Sequence, residues 1–166
     1  MSSPYVSIII PNFNGAHLLE KNLPVLLKEA NGLGQFEIIV VDDGSSDKSI
    51  GILKQRFPEV KVISLDKNLG FGIAVNTGVF VSKGDIILII NNDVWIKEGF
   101  FKPLLRHFGE DGLFSVVPTI LSNNRNEAIV SCEFWYGLFG IKRLGNKHYD
   151  QDTMELLYPS GTVAAY

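Results

Sequence analysis

Glu37-Ile38-Ile39-Val40-Val41-Asp42-Asp43-Gly44-Ser45-Ser46-Asp47 is the stretch on which the reading of this 166-residue chain turns. The β-branched run after Glu37 has the composition of a strand buried on both faces. It delivers two carboxylates directly to the strand's end. Gly44 allows the chain to turn, and Ser46 or Asp47 is placed to cap the helical segment that runs to about Arg56.

Working outward, Val6-Ser7-Ile8-Ile9-Ile10 is a similar strand, bounded by Pro11 and the turn cluster Asn12-Phe13-Asn14-Gly15. Leu19, Leu23, Leu26, Leu27 and Ala30 then repeat at helical spacing over residues 16–30, with Pro24 expected to kink that helix. A third strand over 60–64 leads through a loop containing Gly70 to a helix over about 71–82. A fourth strand over 85–90 closes on Asn91-Asn92-Asp93. Strands separated by helix-length crossovers are parallel, so the pattern predicts an α/β fold with a doubly wound, mostly parallel sheet. Ligands of such sheets bind beyond the carboxyl ends of the strands, where Asn12, Asp42, Asp43, Asn68 and Asp93 fall.

Past Asp93 the spacing predicts a helix over 97–108 and a strand over 113–118. Two shorter strand-like pieces follow, over 128–134 and 139–144. The chain ends in the apolar run Thr162-Val163-Ala164-Ala165-Tyr166, expected to lie inside a core. Residues 1–166 are read as a single domain.

Composition narrows the classes. With 46% hydrophobic and 20% charged residues the chain is globular, not disordered. A net charge of -3 gives no basic surplus for a nucleic acid. Cys132 has no partner for an internal disulfide, which suits a reducing, cytoplasmic setting. No apolar run of about 18 residues occurs, so no segment reads as membrane-spanning.

Each chemical candidate has a plainer reading beside it. Rim carboxylates at Asp42 and Asp43 suit a base N–H or ribose hydroxyls, or simply satisfy loop amides. Asp93 suits Mg²⁺ or Mn²⁺ shared with a diphosphate, or caps the following helix. Asn68-Leu69-Gly70-Phe71-Gly72 is not a dinucleotide fingerprint, because Val75 stands at the third glycine position. It reads as a loop whose amides approach an anion, or as a packing loop. His17, His107 and His148 lack metal-ligand spacing. The aromatic run 134–139 reads as core before it reads as an acceptor platform.

In their order, these segments resemble the family 2 glycosyltransferases of the GT-A fold. The resemblance is carried by residues 6–14, by residues 37–47, by Asn68-Leu69-Gly70-Phe71 with Asn76 and Gly84-Asp85, and by Asn91-Asn92-Asp93 at the family's DXD region. It implies a nucleotide-binding half over 1–95 and an incomplete acceptor-side half over 96–166. It implies that Pro11, Asn12, Asp42, Asp43, Asn68, Gly70 and Asn92 border the nucleotide and that Asp93 holds the metal. Val75, where many members carry Arg, points to the rhamnosyltransferase-like subgroup. The implied reaction is inverting transfer from a nucleoside-diphosphate sugar to a saccharide or lipid-linked saccharide. Its general base is expected beyond Tyr166, with the full-length protein peripheral at the inner face of the membrane. A non-catalytic nucleotide-sugar-binding domain is the competing expectation. A sugar-phosphate nucleotidyltransferase lacks its basic phosphate loop after the first strand, and an NAD-linked oxidoreductase lacks its fingerprint there.

Overall fold

A computed structural model describes residues 4–108, 115, 116, 118, 132–137, 140–146 and 163–165. Four parallel strands form the frame: β1 (Val6–Asn12), β2 (Phe36–Asp42), β3 (Lys61–Ser64) and β4 (Ile86–Ile90). Between them run α1 (Ala16–Ala30), α2 (Ser49–Arg56) and α3 (Phe71–Val81). Two further strands, β5 (Cys132–Gly137) and β6 (Gly140–Asn146), pair antiparallel as a separate ribbon. A last strand, β7 (Val163–Ala165), joins β4 antiparallel, giving the order β3-β2-β1-β4-β7. The doubly wound, mostly parallel α/β architecture is therefore as the alternating pattern predicts.

Burial follows position in the sheet. The central strand β1 is buried along its whole length, which is why both alternating sets of its side chains are apolar or hydrogen-bonded. Val6, Ile8 and Ile10 pack with Ile38, Val40, Ile86 and Leu88 against Leu19, Leu23 and Leu26 of α1 and Leu53 of α2. Ile39 and Val41 face the other way, onto Ala74 of α3. That helix lies so close that a Cβ on Gly78 would stand 2.4 Å from Ile9 Cγ2. At the amino ends of the strands, Ser7 Oγ donates to Glu37 (2.7 Å), and the amides of Lys83 and Gly84 donate to Glu37 and Ser7 respectively.

Several expectations shift. Strand β1 continues past Ile10, with Pro11 and Asn12 still in register against Val41 and Asp42. Helix α1 spans Ala16–Ala30 as expected, with Pro24 inside it. The helix expected over 97–108 is confined to α4 (Phe101–Leu105), because Gly99 adopts φ +75° and its amide donates to Glu29 instead of entering a helix. Of the strand expected over 113–118, Val116 forms a single bridge, while residues 113, 114 and 117 lie outside the described residues. The pieces expected over 128–134 and 139–144 overlap β5 and β6, which run on to Gly137 and Asn146, while residues 128–131 and 139 lie outside the described residues.

Candidate functional site

Strand order creates the site. From β1 the chain passes to β2 and then β3 on one side, whereas β4 lies on the other. The loops after β1 and β4 therefore part company, and a crevice opens between them at the carboxyl edge of the sheet. A cleft of about 390 Å³ lies there, bordered by Pro11, Asn12, Phe13, Asp43, Asn68, Gly70, Phe71, Ala74, Asn91, Asn92 and Asp93. Seven of the eight residues singled out from the sequence meet at this cleft. The exception is Asp42, and its surroundings explain why.

Asp42 ends β2 fully buried, with 0% exposure. One of its oxygens accepts from Asn12 Nδ2 at 2.9 Å and the other from the Ser45 amide at 2.9 Å. A carboxylate taken out of water needs such donors, so Asp42 braces the loop from beneath and does not face the cleft. The expectation that Asp42 borders a nucleotide directly is corrected to that extent. Asp43, the next residue, does border the cleft. Its two oxygens accept from the amides of Leu69 (2.7 Å) and Gly70 (2.8 Å), tying the β2–α2 loop to the loop before α3. Gly44 makes the approach possible, since a Cβ there would sit 2.4 Å from the Lys67 carbonyl carbon and its φ is +71°.

Asn12 is the hinge of the arrangement. Only 2% exposed, it donates to Asp42 and accepts from Asn92 Nδ2 at 2.8 Å, so its amide crosses from the β1 side of the crevice to the β4 side. Gly15 leaves room for this pair, because a Cβ at that position would lie 2.2 Å from Asn92 Nδ2 and 2.4 Å from Asn12 Oδ1. Residues the sequence reading passed over complete the lacing. Asn14, held at φ 49°, accepts from the Ser46 amide, and its own amide donates to Ser45 Oγ. Asn22 on α1 donates to the Asn92 carbonyl oxygen at 2.8 Å. Its signal was present in the sequence as a polar residue inside the apolar stripe Leu19, Leu23, Leu26.

Asp47 fastens two helices at once. Its carboxylate accepts from the Ala16 amide and the Ser49 amide, both at 2.9 Å, at the starts of α1 and α2. Burial works to raise its pKa, but hydrogen bonds from Ser49 and Ala16, together with His17 nearby, outweigh that and hold it below the ordinary Asp value.

Of the side chains in the loop after β4, Asn91 Oδ1 is turned inward, Asn92 is bonded to Asn12, and Asp93 is exposed at the cleft. No group of three His, Cys, Asp or Glu side chains able to hold a metal occurs among the described residues. A single outward carboxylate fits a hard divalent cation completed by ligand oxygens, and does not fit a metal held by protein alone.

The doubly wound sheet with its cleft at the switch point is of the GT-A class of glycosyltransferase fold, as its solved neighbours show. The chain belongs to glycosyl transferase family 2, whose model matches residues 7–155. It is 38% identical over 103 residues to the dolichyl-phosphate beta-glucosyltransferase of Mus musculus, covering 53% of this chain and 31% of that protein. It is 34% identical over 134 residues to the undecaprenyl-phosphate 4-deoxy-4-formamido-L-arabinose transferase of Pseudomonas savastanoi, covering 75% of this chain and 38% of that one. The chain thus spans about a third of the length of these relatives. Among solved structures, S. aureus TarS 1-349 superposes with a TM-score of 0.64 at 25% identity, over 73% of this chain and 37% of that one. The mannosyltransferase PcManGT of Pyrobaculum calidifontis, solved with GDP-Man and Mn²⁺, also gives 0.64, at 20% identity over 76% of this chain and 38% of that one. No helix among the described residues is long and apolar enough to cross a membrane.

Proposed function

We propose that this chain binds the nucleoside-diphosphate sugar of an inverting glycosyl transfer, with the nucleoside along Pro11, Asn12, Asp43, Asn68 and Gly70 and the diphosphate toward Asp93. The observation that carries this reading is the convergence of Asp43 and Asp93 on one cleft, from strands that lie on opposite sides of β1. That spacing separates a group suited to a base or ribose from a group suited to a metal. TarS, a fold neighbour, is also solved with UDP-GlcNAc, which favours the same class of ligand here.

In this reading Asp93, together with the diphosphate oxygens, would hold Mg²⁺ or Mn²⁺, which would offset the negative charge of the leaving group. The start of α3, next to Gly70, offers backbone amides to the anion, and Asn92 faces the ribose or sugar. The acceptor hydroxyl forms its bond to the anomeric carbon while the bond to the diphosphate oxygen breaks. The hydroxyl proton passes to a carboxylate base, a role given to no residue of this chain. Val75 is buried in α3 and brings no charge to the cleft, in keeping with a rhamnosyltransferase-like site and a deoxysugar donor. A saccharide or lipid-linked saccharide acceptor and a peripheral position at the inner face of the membrane belong to the same proposal. So does the division into a donor half over 1–95 and an acceptor-side half over 96–166.

Calorimetry with uridine, thymidine and guanosine diphosphates, with and without Mn²⁺, tests it. Binding of at least one, strengthened by metal, is expected. Asp93→Ala should abolish the metal enhancement at unchanged melting temperature, because the side chain is exposed. The loss should exceed the about tenfold to hundredfold typical of removing a group that only supports a ligand. No binding of any of the three by the folded protein rejects the proposal.

A further inference from the structure

Behind the cleft, on the α1 side of the loop that carries Asp93, lies a second and much smaller cavity of about 20 Å³. Its walls are mostly apolar, with Leu19, Leu23 and Ile90 among them, yet Asn22, Asn91 and Asn92 also border it. Two polar atoms of these residues stand out. Asn22 Oδ1 and Asn91 Oδ1 are both buried, and no described donor of the protein reaches either one. An acceptor left in that condition costs about 1–3 kcal/mol, and two in one apolar cavity call for a shared donor. The cavity exceeds the roughly 10–15 Å³ needed for a water molecule, and a water has two O–H groups to give. The Asn22 amide meanwhile donates from its other end to the Asn92 carbonyl oxygen at 2.8 Å.

From these observations we infer that the cavity holds one ordered water, donating to Asn22 Oδ1 and Asn91 Oδ1, and that Asn22 is a positioning residue for the loop bearing Asp93. Asn22 then grips the loop twice, directly at Asn92 and through water at Asn91. Asn12 holds the same loop from the other side through Asn92 Nδ2. Both asparagine side chains preceding Asp93 are thereby held in place within the loop, while Asp93 itself stands exposed at the cleft. The role assigned to Asn22 rests on the donor-binding reading for its functional meaning, whereas the water and the restraint of the loop do not.

The experiment has two arms on the whole chain. In the first, hydrogen exchange of the ligand-free protein is compared with that of Asn22→Ala and of Asn22→Leu, the second of which also fills the cavity. Faster exchange over residues 91–96 in both variants, with residues 38–41 unchanged, is expected. Unchanged exchange over 91–96 overturns the positioning role, and equal acceleration in both segments overturns it too, because that reports general loosening. A crystal structure resolving ordered solvent should show the water within hydrogen-bond distance of both oxygens. A dry cavity, or a direct bond between the Asn22 and Asn91 amides, overturns the water. In the second arm, nucleotide affinity is measured with and without Mn²⁺. Asn22→Ala should lower the metal-supported affinity about tenfold and leave the metal-free affinity in place, whereas equal loss in both overturns the link to Asp93. If the wild type binds no nucleotide at all, the donor-binding reading fails while the exchange arm still decides whether Asn22 restrains the loop.

Discussion

Two acidic residues adjacent in sequence do different work. Asp42 is spent on Asn12 and the Ser45 amide beneath the loop, whereas Asp43 reaches the cleft. Asp43→Ala should therefore weaken the binding of nucleoside monophosphate without metal, and leave the binding of Mn²⁺-pyrophosphate as it was. Calorimetry with each ligand separates the two, and equal affinity of wild type and variant for the monophosphate would make Asp43 a loop tie only. The rim position of both residues was legible in the sequence, since an acidic pair after an aliphatic run can go nowhere else. Which of them borders the cleft was not legible, because that depends on Asn12, some 30 residues away in the chain. The same holds for Asn22, whose partner Asn92 is 70 residues distant. Hydrogen bonds across such separations leave no local pattern, only an oddity such as an amide in an apolar stripe.

At the scale of elements, two glycines in helices should behave oppositely. In α3, Gly78→Ala drives a methyl to 2.4 Å from Ile9 Cγ2 and should cost about 1–3 kcal/mol. In α2, a Cβ on Gly51 meets nothing within 4 Å, so Gly51→Ala should stabilise by roughly 0.5–1 kcal/mol. Urea unfolding of the two variants against wild type measures both. Asp47 makes a prediction in pH. Its folded pKa lies below the ordinary value, so its contribution is fully present above that value and fades as pH falls through the folded one. The gap in melting temperature between wild type and Asp47→Asn should therefore shrink as pH drops below the ordinary carboxylate range, and a gap constant down to that acidity would contradict the bonds to Ala16 and Ser49. The frame from β1 to β4 was readable because each strand is an aliphatic run ended by turn residues. The stretch after Asp93 was misread as a long helix, because the left-handed turn at Gly99 is a choice made by tertiary contact with Glu29.

For the whole molecule, what matters is that β1 sends its chain one way and receives β4 on the other side. Period and composition foretell a parallel sheet, and the acidic residues foretell an edge with chemistry. Neither foretells the order β3-β2-β1-β4-β7, nor that β7 arrives antiparallel beside β4. That order decides which loops share a cleft. It also makes the bridge from Asn12 to Asn92 the single side-chain tie described across the cleft's mouth. The bridge continues to α1 through Asn22, and every side chain along it is a carboxamide. Carboxamides neither gain nor lose a proton over the range in which proteins work, so no side chain from Asn12 through Asn92 to Asn22 is itself ionisable. A change in ligand affinity between mildly acid and mildly alkaline buffer would then belong to the ligand, its metal and the acidic groups that meet them, and not to a doorway that widens or narrows.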